Sequence, residues 1–194
     1  MAFVTWRVLY NKMPTDEKIA KLGYTIQPRC YCCTPTSTTL ETSAHLFWEG
    51  TYAQDIWKIF AAPFGLQVGN QQYSHILLQW WNHRYMNLVT SFMARVLPAI
   101  ITWELWRSRC ASKYGGEAPQ SRRSEKLITA NLVEVVRQKF GKLQQQLSWD
   151  QLQKLIDQPM VHRTSKLVRW VKPPPMSYKL NSDGSCQEGN SGAG

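Results

Sequence analysis

The chain has 194 residues, 43% of them hydrophobic, and a formal charge of +10 from 23 basic against 13 acidic side chains. That length allows one ordinary domain or two small units joined by a linker, and the apolar content is that of a chain able to build a core. No charged n-region precedes an apolar segment at the start, and no uninterrupted apolar run reaches the roughly 18 residues of a membrane span, so the chain is expected to be neither secreted nor membrane-bound but intracellular, nuclear or cytoplasmic.

In chain order, Met13–Gly23 reads as a short helix. Thr15 sits at its cap, Asp16 and Glu17 suit its positive end, and Gly23 can end it in a left-handed conformation. A loop rich in Thr, Ser and Pro follows and carries Cys30, Cys32 and Cys33. Glu41–Phe60 reads as helical, with Gly50 as a break or weak point. A second helical block follows the loop 63–70; in it Leu88, Phe92, Val96, Ile100 and Trp103 recur at helix spacing. Pro98 is expected to kink or split that block, and Gly115, Gly116 and Pro119 end it. A third helix begins near Ser121, with Ile128, Leu132, Val135 and Val136 on one face. Ser148 and Gln151 match a capping box for a short last helix through Asp157.

Beyond Pro159 the composition changes. Residues 161–172 are basic, Pro173–Pro175 form an extended spacer, and Met176–Ser182 alternates like a strand. The expected organisation is a small module over 1–70, a helical connector over 71–157, a basic Pro-rich linker over 158–175, and a last segment over 176–194. The fold class is mainly α, with one C-terminal strand. Seven of the nine tryptophans lie in the first 106 residues and favour a compact core there.

Cys30 and Cys33 form C-x-x-C, a spacing from which two thiolates grip one tetrahedral zinc, and His45 lies twelve residues further on. A closed structural site needs a fourth ligand. Five residues past His45 stands Gly50, which has no side chain to offer; Glu49 or His75 can substitute only if the fold brings one close, and Cys32 is expected to point away. The alternative is an ordinary helical histidine beside free thiols. Asp183, before Gly184, reads by itself as a turn residue. The basic excess favours a nucleic-acid partner through counterion release, although spacing alone marks no nucleic-acid-binding residue, and any protein partner is unknown.

Several patches together carry a resemblance. Trp6, Met13-Pro14-Thr15, Cys30-x-x-Cys33, Glu41-Thr42-x-x-His45-Leu46-Phe47 and Ala53-x-x-x-Trp57 resemble the zinc-binding region that follows reverse transcriptase in plant non-LTR retroelements. Leu97-Pro98, Trp103-Glu104-Leu105-Trp106-x-x-Arg109 and Lys113-Tyr114 resemble the helical connector of the same proteins, with Cys110 where asparagine is usual. The resemblance implies that Cys30, Cys33 and His45 are zinc ligands and that the family's fourth, a cysteine, is replaced by Gly50. Trp170–Pro175 with Lys179-Leu180-Asn181-x-Asp183-Gly184-Ser185 resembles the opening of the retroelement ribonuclease H domain, an α/β fold that cleaves RNA–DNA hybrids. Asp183 would then be its first metal-ligand aspartate.

Two magnesium ions and several carboxylates are needed for that hydrolysis, and the sequence stops eleven residues past Asp183. The expectation is therefore a truncated edge of the domain that does not hold magnesium and does not cleave. The functional expectation is a retroelement-derived nucleic-acid-binding fragment. The alternatives are a non-catalytic helical module that holds a protein through a Trp-rich surface, and a pseudogene product without function.

Overall fold

A computed structural model describes residues 1–33, 39–69, 72–83, 85, 87–140, 148–156, 173–177, 184–187 and 190–193. The chain divides into two compact units, Met1–Met160 and Val161–Gly194.

The first unit is mainly helical. Its helices are α1 (Ala2–Leu9), α2 (Asp16–Lys21), α3 (Thr51–Ala61), α4 (Tyr73–Asn82), α5 (Leu88–Gly115), α6 (Ser121–Phe140) and α7 (Trp149–Ile156). A π-helical turn, His45–Glu49, precedes α3, and a 3-10 turn, Ala62–Phe64, follows it. The central element is α5, which packs against α6, α1, α4, α3, α7 and the π turn. Met93, Ala94, Leu97, Ile100, Ile101 and Leu105 along it are buried. One hydrophobic cluster runs from Val4 to Leu152, so residues 1–70 and 71–157 share a core. Tryptophan builds that core more than the surface: Trp57 and Trp80 are fully enclosed and Trp149 is buried.

The local signals act as chemistry requires. Gly23 follows α2 at φ +92° and Gly116 follows α5 at φ +67°, conformations that cost other residues energy. The capping box forms: the Ser148 amide donates to Gln151 Oε1 at 2.8 Å and the Gln151 amide to Ser148 Oγ at 3.3 Å. Gly50, extended at ψ 147°, separates the π turn from α3.

Pro98 does not split α5, which runs unbroken through 28 residues. An interior proline costs about 3 kcal/mol, but Leu97, Ile100 and Ile101 are buried on both sides of it, and the Thr102 hydroxyl donates to the Pro98 carbonyl at 2.7 Å. On α6 the buried apolar residues are Ile128, Leu132, Val133 and Val136, so Val133 takes the place that the sequence reading gave to Val135. Among the described residues α5 alone is long and apolar enough to cross a membrane, yet 56% of its apolar window is already buried. It also carries an internal ion cluster.

That cluster joins distant parts of the chain. Arg109, 1% exposed, donates through Nε to both Glu41 oxygens at 3.1 Å, and through a terminal nitrogen to Glu41 Oε1 at 2.7 Å and Asp16 Oδ1 at 2.5 Å. Lys113 also pairs with Asp16, and the Asp16 amide donates to Glu41 Oε1 at 3.0 Å. The Trp106 ring lies 5.0 Å from the guanidinium. Burial works against the charge of Arg109, but the Glu41 and Asp16 carboxylates more than offset it and raise its pKa. Asp16, expected only to complement the α2 dipole, is instead an internal ion-pair partner of α5.

In the second unit, the Ser177 amide and hydroxyl both bond the Pro174 carbonyl, at 3.2 and 2.8 Å, with Met176 at φ +67°. Met176 therefore lies in a turn rather than at the start of a strand. The rest of the expected strand, 178–182, lies outside the described residues. Further on, β1 (Gly184–Gln187) and β2 (Asn190–Ala193) pair antiparallel, Gly184 opposite Ala193.

Removing the guanidinium leaves two enclosed carboxylates with too little countercharge. Arg109→Met is expected to lower unfolding stability by about 3–5 kcal/mol. Arg123→Met, which loses a solvated pair with Glu117, should change it by less than about 1 kcal/mol. Urea unfolding of both variants checks this, and equal losses would contradict it.

Candidate metal centre

The cysteine loop is closed at its base by backbone pairing. Arg29 and Leu40 form an antiparallel bridge, the Cys30 amide donates to Thr39 O at 2.9 Å, and the Glu41 amide to Pro28 O at 2.8 Å. Directly after this bridge, Glu41 takes Arg109, so the loop is fastened to α5. Thr42 then shapes the turn that carries the histidine: its hydroxyl accepts the His45 amide at 2.9 Å and its carbonyl accepts Leu46 at 3.0 Å. The far end of the π turn is held by α3, where Trp57 Nε1 donates to Phe47 O at 2.8 Å and Gln54 Nε2 to Trp48 O at 2.7 Å. A turn end without such donors leaves orphan carbonyls, which gives the Trp57 position its role.

These supports bring Cys30, Cys33 and His45 together. Their ligand atoms lie within 4.8 Å of one another, and Cys33 Sγ is 3.0 Å from His45 Nε2. A tetrahedral zinc with sulfur at about 2.3 Å and nitrogen at about 2.0 Å separates its ligand atoms by about 3.5–3.8 Å. Two thiols and an imidazole at this spacing fit zinc, and small movements complete the geometry. Among the described residues neither Glu49 nor His75 joins the group. Cys32 is also outside it, buried in the hydrophobic cluster.

Gly50 faces the group. A Cβ built there would lie 3.0 Å from His45 Nε2, so a side chain at this position would project into the centre. The same Cβ would stand 2.5 Å from the His45 carbonyl oxygen, which accepts the Gly50 amide at 2.8 Å. The tight π turn therefore accommodates glycine, and a larger residue needs it to open.

The thiols differ in character. Hydrogen bonds from the Cys32 thiol, then from His45 and the Cys32 amide, outweigh burial and pull the Cys30 thiol down to about 4. Burial first, and then the Cys30 charge, push Cys33 up to about 11, although the Thr51 hydroxyl bonds it. Cys32 is raised by its bond to Cys30 and by burial. Bonding to Cys30, against burial, raises His45. The Cys30 thiolate and the His45 ring thus favour one another's charged forms, and a divalent cation bound there would displace protons. Thr51 and the Cys32 amide were not legible as supporting groups in the sequence.

Asp183 lies outside the described residues, as do the residues at 178–182 before it.

Two outcomes test the centre. Cys30, with its folded pKa below the ordinary 9.0, adds stability that is complete above that value and lost as pH falls toward about 4. His45, with its pKa raised from 6.5, adds stability that is complete below that value and lost as pH rises through its folded pKa. The ultraviolet thiolate absorbance of the metal-free chain should therefore persist well below 9.0, and His45→Gln should move its midpoint upward; an unmoved midpoint would contradict the pairing. Gly50→Cys should tighten zinc about 100-fold in a chelator competition, since four-ligand sites release roughly 10–16 kcal/mol and one ligand is about a quarter of that. Equal affinity would show that Gly50 does not leave a ligand position open.

Residues 1–57 match the family model described as zinc-binding in reverse transcriptase, and this span contains all three members of the group. Neither the curated proteins nor the solved structures contain a match. The first 57 residues are therefore similar to the zinc-binding region of reverse transcriptase.

Proposed function

We propose that this chain is a retroelement-derived nucleic-acid-binding protein whose N-terminal centre holds zinc through Cys30, Cys33 and His45. The observation that supports this most is the convergence of these three side chains inside the span that matches the reverse-transcriptase family. Bound zinc would supply a structural crosslink between the cysteine loop and the π turn. The chain's own residues do the rest: Arg109 fastens the loop through Glu41, Thr42 orients His45, and the Cys32 amide and Thr51 hydroxyl bond the sulfurs. With Gly50 at the family's fourth position, Cys30, Cys33 and His45 would hold the ion and leave one position for a water.

The formal charge of +10 supports the nucleic-acid partner. Reduced thiols and metal ligation suit an intracellular setting, nuclear or cytoplasmic. The plant retroelement origin and the ribonuclease H start at Asp183 rest on the motif resemblance alone.

Titration of labelled RNA, DNA and hybrid with the purified chain tests the reading. Affinity should fall with salt, log affinity against log salt sloping by about −0.7 to −0.9 for each phosphate contacted. Flat titrations with all three would sink the nucleic-acid reading.

A further inference from the structure

The helix α1 exposes what a soluble helix normally hides. Val4, Thr5 and Val8 face inward, and α1 packs on α5. The outward face carries Phe3, Trp6 and Tyr10, which are 65%, 50% and 62% exposed. Three and four residues apart, they share one side of the helix. Their rings form a ladder: Phe3 and Trp6 stack with centroids 5.9 Å apart and planes at 19°, and Trp6 and Tyr10 lie 5.2 Å apart at 39°.

A basic rim borders this ladder. Arg7 lies 5.7 Å from the Phe3 ring and is fixed there, donating through Nε and a terminal nitrogen to Lys12 O at 3.0 and 2.8 Å. Asn11, at φ +52°, turns the chain, and its side chain accepts from Lys18 at 2.7 Å. Burial lowers the pKa of Lys18, the Glu17 charge works against that, and Lys12, Arg7 and Lys21 add to the lowering. The acidic residues in 1–24 are Asp16 and Glu17. Asp16 is buried and neutralised by Arg109 and Lys113, and Glu17 pairs with Lys21. With Glu17 paired to Lys21, the rim keeps Arg7, Lys12 and Lys18 against the exposed Glu49, which lines the same groove as Leu9 and Asn11.

We propose that the Phe3–Trp6–Tyr10 ladder and its Arg7, Lys12 and Lys18 rim form a binding platform for single-stranded nucleic acid. This rests on the nucleic-acid reading above and names its surface and ligand class. Exposed rings stack on free base faces while the rim tracks phosphates, a combination that tolerates any sequence. A duplex keeps its base faces inside its own stack and offers the ladder nothing. The charge also distinguishes this face from an ordinary apolar docking patch, since Arg7 at the Phe3 ring, with Lys12 and Lys18 beyond it, favours a polyanion.

Fluorescence anisotropy of the full chain with labelled oligothymidine and with a labelled duplex of equal length tests the platform. The single strand should bind more tightly than the duplex. Trp6→Ala and, separately, Tyr10→Ala should each weaken single-strand binding by about fivefold or more, with melting temperatures close to wild type because both side chains are exposed. Lys12→Glu should flatten the salt dependence by about one phosphate contact, and Trp81→Ala, on α4, should change nothing. Wild-type binding that Trp6→Ala and Tyr10→Ala leave intact would overturn the platform while keeping the nucleic-acid reading, as would equal binding of the duplex. Absence of binding to any nucleic acid would remove both. Salt-insensitive self-association that Trp6→Ala abolishes would make this face a protein contact and overturn the proposal.

Discussion

A guanidinium sealed from water needs carboxylates around it, and Arg109 has two, from segments far from it in sequence. Glu41 comes from the end of the cysteine loop and Asp16 from the start of α2, while Arg109 lies near the end of α5. Each group alone would be costly to bury; together they pair, with the Asp16 amide and Lys113 joining the set, and Asp16 Oδ2 is left without a hydrogen-bond partner. Such a cluster adds less net stability than its number of contacts implies, because desolvation consumes much of the attraction. Its visible effect is on arrangement: through Glu41 it fastens the end of the cysteine loop to α5, four residues before His45.

Much of the helical scaffold was legible because local chemistry decides it. Gly23, Gly116, the Ser148–Gln151 box and the break at Gly50 each depend on residues close in sequence, and each acts as its chemistry dictates. Pro98 shows where local reasoning stops: its cost is real, but burial of α5 on both sides outweighs it. Asp16 shows the converse. A carboxylate in the first turn of a helix has a sufficient local explanation, so nothing in the sequence marked it as a partner for a residue 93 positions away. Val133 was passed over for Val135 because helix periodicity by itself cannot say which neighbouring row meets the core.

The metal group was legible in its members and not in its supports. C-x-x-C and a histidine at a suitable distance are chemical signals, whereas the Thr51 hydroxyl, the Cys32 amide and the Trp57 bond to Phe47 depend on the folded turn. Gly50 is explained from both sides. Its Cβ direction aims at the centre, and its lack of a side chain suits the tight approach to the His45 carbonyl. The aromatic ladder on α1 was hidden for a related reason: of the nine tryptophans, sequence cannot separate those that fill the core, such as Trp57 and Trp80, from Trp6, which faces water.

In the proposed zinc centre Cys30, Cys33 and His45 alone supply the protein ligands, and Gly50 leaves the fourth position open. X-ray absorption spectroscopy of the zinc-loaded chain counts sulfur and lighter neighbours around the ion. Two sulfurs with two nitrogen or oxygen neighbours, the imidazole and a water, are expected. A shell of three sulfurs, which would bring Cys32 in as a ligand, or failure of the chain to retain zinc at all, would contradict this.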